Sequence, residues 1–438
     1  MSNMFRGLKY YNYPVTLPNG LNYYTCIEGL FEDTGAYNHP FIVPTHITNL
    51  SLVRLFKGSG SYNCPITIPD NVTNMQYMFA YSNYNCVFNI PNRNNIDIRN
   101  LFSGSNYNQP VVIPSNININ NYSGIVSGCT KFNQPITFEP EYTTSCENTF
   151  RNCHVFNQKV KFPVMANNSV HTEIYYYYKS NFYNVFTDCY AYNQPTNIPE
   201  GAINISNVFV NCTNFNSAIT IPNTVKNIER LIVNCQNFNM PIEIPNSVTN
   251  ISNLIGNCPN FHSLVSFQPG GNLSLGSAFR NMNFNAPVHI TNTITRMTSA
   301  FENSTFNSTI LFADNVNINS LAYAFEDSAF NQPITIPNTV DNLAYAFENS
   351  AFNQSIIIPE NVTNLYYTFA NCYNMSGSVI IKSNKVSQAT YVFENVKHDI
   401  TVFCNLSSQT YSTLNNRGYS TTNRYNYVII KDINSVYI

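Results

Sequence analysis

The side chains able to ligate a metal, carry a nucleophile or move a proton are few and dispersed in this 438-residue chain. The histidines, His39, His46, His154, His171, His262, His289 and His398, fall at unrelated positions. None forms an HExxH pair or a Cys/His/Asn set whose spacing could assemble a nucleophile and its base. No GxSxG elbow occurs, and Gly58-Ser59-Gly60-Ser61 is neither a phosphate-binding loop nor a dinucleotide fingerprint. The reading is non-enzymatic: no catalytic residue, no cofactor and no metal ligand set is assigned.

Two sets of residues do recur with a period. Glu302, Glu326, Glu348 and Glu394 each follow a Phe in [AV]-F-E-[ND]. Stacked at about 5 Å such carboxylates form a row that a divalent cation could bridge; the preferred reading is solvated residues flanked by Asn. The second set is Cys129, Cys153, Cys189, Cys212, Cys235, Cys258 and Cys372, each placed just before an aromatic residue, as in N-C-T-N-F-N. Ser304, Ser328 and Ser350 take the same slot elsewhere. A position where Cys and Ser interchange wants a small buried side chain with a weak donor, so the spacing predicts a column of free thiols rather than disulfides or zinc.

These periods belong to a repeat. The pattern [FY]-N-Q-P-[IV]-x-[IF]-P recurs, most clearly at Phe330–Pro337 and Phe352–Pro359. Anchored on the aromatic, copies begin at Tyr11, Tyr37, Tyr62, Tyr84, Tyr107, Phe132, Phe156, Tyr192, Phe215, Phe238, Phe261, Phe284, Phe306, Phe330, Phe352 and Tyr373. Most are about 22 to 25 residues apart, the period of a leucine-rich solenoid. The segment P-I-T-I between two prolines reads as one short strand per coil. After it, Val340, Leu343 and Phe347 recur at three- and four-residue steps, which predicts a short helical or 3₁₀ arc with an apolar side. One coil cannot bury its apolar face, but about sixteen stacked coils can, with each Ile and Phe lying over its copy. The Asn after each aromatic is expected to bond backbone groups of the bend and of the neighbouring coil.

The stretch I-T-I-P-N-T-V-x-N-L-x-Y-A-F-E-N-[SC] resembles the BspA-type leucine-rich repeat, and F-N-Q-P-I-x-I-P is similar to FNIP repeats and to Asn-rich repeats of bacterial surface lipoproteins. The resemblance covers residues 10 to 403 and implies a leucine-rich-repeat-like solenoid over residues 1–403. It also implies a role in adhesion or in phage virion appendages, where such repeats serve.

The anchors Phe156 and Tyr192 are 36 residues apart, so an insertion lies near residues 165–181. It carries Tyr175, Tyr176, Tyr177, Tyr178 and Lys179, a clustered contact surface suited to stacking on sugars, and is the candidate binding site; the alternative is a hairpin packed on the solenoid. Residues 404–438 leave the pattern. Gln409–Asn416 reads as a short helix and Tyr427–Ile430 as a strand, forming a C-terminal cap or a docking segment.

Composition sets the functional class. Only 10% of residues are charged, the formal net charge is -2, and about one residue in six is Asn, while 44% hydrophobic content supplies a core. No field attracts nucleic acid. No apolar h-region opens the chain and no window is apolar enough to span a membrane. The expected function is a structural and interaction protein, a rigid solenoid of a large assembly. The favoured assembly is a phage virion, formed in the host cytoplasm, in which the chain is a tail or head appendage such as a tail fiber used in host attachment. Its partners would be further copies of itself, virion proteins, or a host-surface glycan or protein. The alternative is a bacterial cell-surface adhesin of the BspA type.

Overall fold

The computed structural model describes residues 1–18, 20, 26–94, 96–117, 123–166, 181–419 and 427–435. It is a parallel β-solenoid whose coils fall into two compact units: Met1–Val225 with Leu231–Phe238, and Lys226–Arg230 with Asn239–Ile438. Strands are short and pair only in parallel. In the first unit Val111–Ile113 pairs with Ile136–Phe138, Val111 opposite Ile136, and Thr196–Asn197 pairs with Ile219–Thr220. In the second, Ile242, Val265, Val288 and Ile310 form one column of the four-stranded sheet. Ile356, Val379 and Val402 align in another. The P-I-T-I slot therefore does build strands, although not in every coil: Ile334–Ile336, in one of the clearest copies, takes no strand pairing.

The predicted helical arc is corrected. Many coils instead make two turns in tandem, as the hydrogen bonds of residues 321–328 show, while Phe209–Val210, Ile232–Val233 and Ile255–Gly256 pair as strands in place of the second turn. Ala324, Glu326 and Ser328 donate to carbonyls three residues back, at 3.0 to 3.3 Å. Leu321, Tyr323, Phe325 and Asp327 donate to Asn342, Ala344, Ala346 and Glu348 of the following coil, at 2.8 to 3.0 Å. Alternate N–H groups thus close turns and bind the next coil, so the backbone is paired without a helix. The geometry requires a left-handed residue every fourth position: Tyr323 at φ 58° and Asp327 at φ 55° here, Asn207 and Asn211 at 56° and 59° in the first unit. A positive φ at the third position of each turn breaks any helical continuation. Asn is among the few non-glycine residues that tolerate it, which accounts for part of the Asn excess. Glycine takes the same slot at Gly58, φ 68°.

Two aromatic columns run through the core beside its buried Ile, Val and Leu residues. In the second unit the arc residues Phe279, Phe301, Phe325, Phe347, Phe369 and Phe393 stack at 5.2 to 5.6 Å. The anchors Phe284, Phe306, Phe330 and Phe352 stack beside them at 5.7 to 6.2 Å. Within a coil the two columns touch, as Phe325 does Phe330 at 4.2 Å. Each buried ring contributes about 1.5–3 kcal/mol by transfer from water. One anchor is reassigned. Tyr373 is 52% exposed whereas Met375 is fully buried, and Ser376 occupies the place of the Asn that follows an anchor. Burial selects the residue three after Cys372, and a flexible Met fills that space.

The bend carries the expected ladder. Asn331 Oδ1 accepts from the N–H of Asn353 at 2.7 Å, Asn307 Oδ1 from Asn331 at 2.8 Å, and Asn63 Oδ1 from Asn85 at 2.8 Å. The next residue joins it: Gln354 Nε2 donates to Asn331 Oδ1 at 3.1 Å. The N-Q pair of the repeat is therefore one acceptor and one donor reaching opposite neighbours. At the C-terminal end Gln409–Asn415 is a helix with Ser408 as its N-cap, and Val428–Asp432 pairs with Ile400–Cys404.

Candidate functional site

Tyr175, Tyr176, Tyr177, Tyr178 and Lys179 lie outside the described residues. The chain on either side is described: Met165 pairs with Thr143, and Asn181 bridges to both Ser145 and Asn204.

The cysteine column is an internal strut. All twelve cysteines are free thiols. The Sγ of Cys153, Cys189, Cys212 and Cys235 donate to carbonyls of Val126, Phe150, Phe186 and Phe209, one coil back, at 2.9 to 3.1 Å. Where Ser replaces Cys, the shorter hydroxyl turns to its own coil: Ser328 and Ser350 donate to the carbonyls of Phe325 and Phe347, both at 2.6 Å. Burial pushes the Cys129 and Cys372 thiols up to about 12, which removes them as nucleophiles at neutral pH. Cys64 and Cys86 differ in place. They fill the slot of the ladder Gln and are half-buried, with Sγ donating to the carbonyls of Asn38 and Asn63.

The described histidines remain apart. His39 Nε2 meets the Asn12 carbonyl at 3.1 Å, His154 stacks on Tyr190 at 4.7 Å, and His289 lies in a strand opposite Leu311.

The structure assembles one surface feature that the motif search missed. Tyr323, Tyr345, Tyr367 and Tyr391 hold the first left-handed position of four successive coils, with φ between 53° and 59°. The rings of Tyr323, Tyr345 and Tyr367 stack at 4.7 and 5.1 Å along the second unit, and Tyr391 lies tilted by 48° at 4.9 Å from Tyr367. Tyr366 sets its edge against both Tyr345 and Tyr367, at 5.3 and 4.6 Å. Three residues after Tyr323 and Tyr345 stand Glu326 and Glu348, which continue a column begun by Glu302. Ala370 interrupts the column before Glu394. Arg280 pairs with Glu302 at 2.5 Å. Desolvation, followed by the charges of Glu302, Glu348 and Asp327, raises the Glu326 carboxyl to about 7. Burial and Asp327 raise Glu348 as well. Alongside runs a groove of about 560 Å³ lined by Asn281, Asn303, Ser304, Asp327 and Ser328, among others. Among the described residues no group of three His, Cys, Asp or Glu is placed to hold a metal ion, and no helix is long and apolar enough to cross a membrane. The sequence signal for the tyrosine column was the recurrence of Tyr two residues before the arc Phe, as in A-Y-A-F-E.

The tyrosine column and its carboxylates sit inside a recognised repeat array. Residues 297–419 match the BspA type leucine rich repeat region, in six copies. The matched segment includes the tandem turns of residues 321–328 described above. Residues 83–184 and 180–270 match a second family, described as Mycoplasma protein of unknown function, DUF285. A leucine rich cell surface protein from Faecalibacterium prausnitzii is similar at 14% identity, over 78% of this chain and 88% of that one, with a TM-score of 0.29. No curated protein matches the chain.

Proposed function

We propose that the protein is a non-catalytic interaction scaffold of the cell-surface adhesin kind, binding through columns of like side chains on the outside of its coils. What carries this reading is a coincidence of place: the half-buried tyrosine column and its carboxylates lie within the segment that matches the BspA-type repeat. A solenoid needs its inward columns for folding, whereas an outward column of large side chains at a strained backbone position adds little to it. The expectation of a virion appendage gains no support from the matched families, and the surface reading takes precedence over it. Within the same proposal residues 404–438 act as a cap. Thr410 Oγ1 donates to the Ser383 carbonyl at 2.7 Å and accepts from the N–H of Val386, and Thr413 Oγ1 donates to the Val386 carbonyl, groups that a further coil would otherwise meet.

The test is location. Protease treatment of intact cells of the source organism, followed by mass spectrometry of washed envelopes and of released particles, should recover the protein from the envelope and remove it by shaving. Recovery only from phage particles, or protection from protease in intact cells, overturns the proposal.

A further inference from the structure

The tyrosine column has a cost that its stacking barely offsets. A non-glycine residue in the left-handed region is strained, and a bulky one gains none of the local hydrogen bonding that favours Asn there. Ring stacking returns only part of that strain. Asn253 holds the same position three coils before Tyr323, so the fold does not require Tyr. The carboxylates carry a second cost. Among the described residues Arg280 pairs with Glu302, and no ion pair forms to Glu326 or Glu348. Half-buried carboxylates beside Asp327 without an ion-pair partner are the kind of stability sacrifice found at binding surfaces.

We propose that the face formed by Tyr323, Tyr345, Tyr367, Glu326 and Glu348 docks a lysine- or arginine-rich peptide segment of a partner protein. The inference deepens the scaffold reading above and rests on it. Ring geometry selects the partner. Because the tyrosines cover one another's faces at 4.7 and 5.1 Å, solvent meets their rims and hydroxyls. Sugars stack on ring faces, which are taken here. The rims instead suit the aliphatic stems of Lys and Arg, whose charged heads then reach the carboxylates three residues on. Cationic side chains supply the counter-charge that Glu326 and Glu348 lack, and charge complementarity of this sort fixes partner choice.

Titration calorimetry of the full chain with a lysine octapeptide tests the assignment. Binding is expected, with affinity falling at least about fivefold in the Glu326→Gln/Glu348→Gln double variant. A similar fall is expected in Tyr345→Asn/Tyr367→Asn, whose Asn residues suit the turn, so its melting curve should stay cooperative. Glu243→Gln, on an exposed strand position elsewhere in the second unit, should bind as the parent does. No binding at low salt, an equal loss in Glu243→Gln, or capture of a neutral oligosaccharide by this face in place of the peptide each overturns the proposal. A failed titration leaves the surface location untouched, since shaving of intact cells reads that separately.

Discussion

The N–H of Phe393 donates to the phenol oxygen of Tyr419 at 3.3 Å. In the coil before, the equivalent Phe369 donates to a backbone carbonyl, that of Val392, at 2.9 Å. A side chain from beyond the last arc therefore takes the part that the next coil's backbone plays elsewhere. Tyr419→Phe keeps the ring and deletes this acceptor from a buried N–H, so it should cost about 1–3 kcal/mol. Amide exchange of Phe393, resolved by mass spectrometry of short fragments, should accelerate while that of Phe325 stays slow.

The bend ladder should be felt coil by coil. Asn331 Oδ1 accepts from both Asn353 and Gln354, so Asn331→Ala strands the Asn353 N–H and leaves Gln354 Nε2 only the Asn331 carbonyl at 3.3 Å. Water can reach this half-buried bend, which limits the expected loss to about 1–2 kcal/mol. Urea denaturation should register that loss with an unchanged slope; an unaltered midpoint would remove the ladder as a stabilising device.

Thiol reactivity should sort by column. Cys64 and Cys86 are half-buried on the bend, whereas Cys129, Cys153, Cys189 and Cys212 are fully buried with thiols pushed above their usual range. Alkylation of the native protein near pH 8, read by peptide mass mapping, should mark Cys64 and Cys86 before any of the buried column. Burial raises both of these as well, so even they should react more slowly than a free thiol.

Acid should stabilise the second unit locally. Glu326 faces Glu302, Glu348, Asp327, Tyr323 and the more distant Arg280, and its carboxyl is raised from 4.5 to about 7. The folded state then binds the proton more tightly than the unfolded chain. The contribution is complete below about pH 4.5 and is lost as pH rises through about 7. Glu326→Gln should melt higher than the parent at pH 8 and converge with it near pH 5. A parent that gains stability between those values from pH 5 to pH 8 relative to the variant would reverse the sign and refute the assignment.

How far the sequence disclosed this depends on which residues are followed. Phe330 and Phe352 announce a buried column because an apolar anchor must recur at the coil period, and Asn331 announces a ladder because a polar side chain at the same bend must meet its copy. Cys212 and Cys235 are legible for the same reason, through exchange with Ser. Asn211 and Asn257 were not read as left-handed residues, although interchange with Gly58 and Asp327 at one slot was the available sign. That interchange, rather than hydrophobic periodicity, separates tandem turns from a helix, since both place Leu343 and Phe347 inward. Tyr373 misled because aromatic identity was weighed above spacing from Cys372. The tyrosine column escaped a search for reactive groups because stacking at the coil period does no bond chemistry.

Within each unit, every coil offers its successor much the same set of donors, rings and amides that it receives from its predecessor. A block of one coil can then be copied or excised by recombination without redesigning either flanking contact. Chain length becomes something inheritance can adjust in whole steps, so relatives should differ in copy number more readily than in the internal plan of a coil.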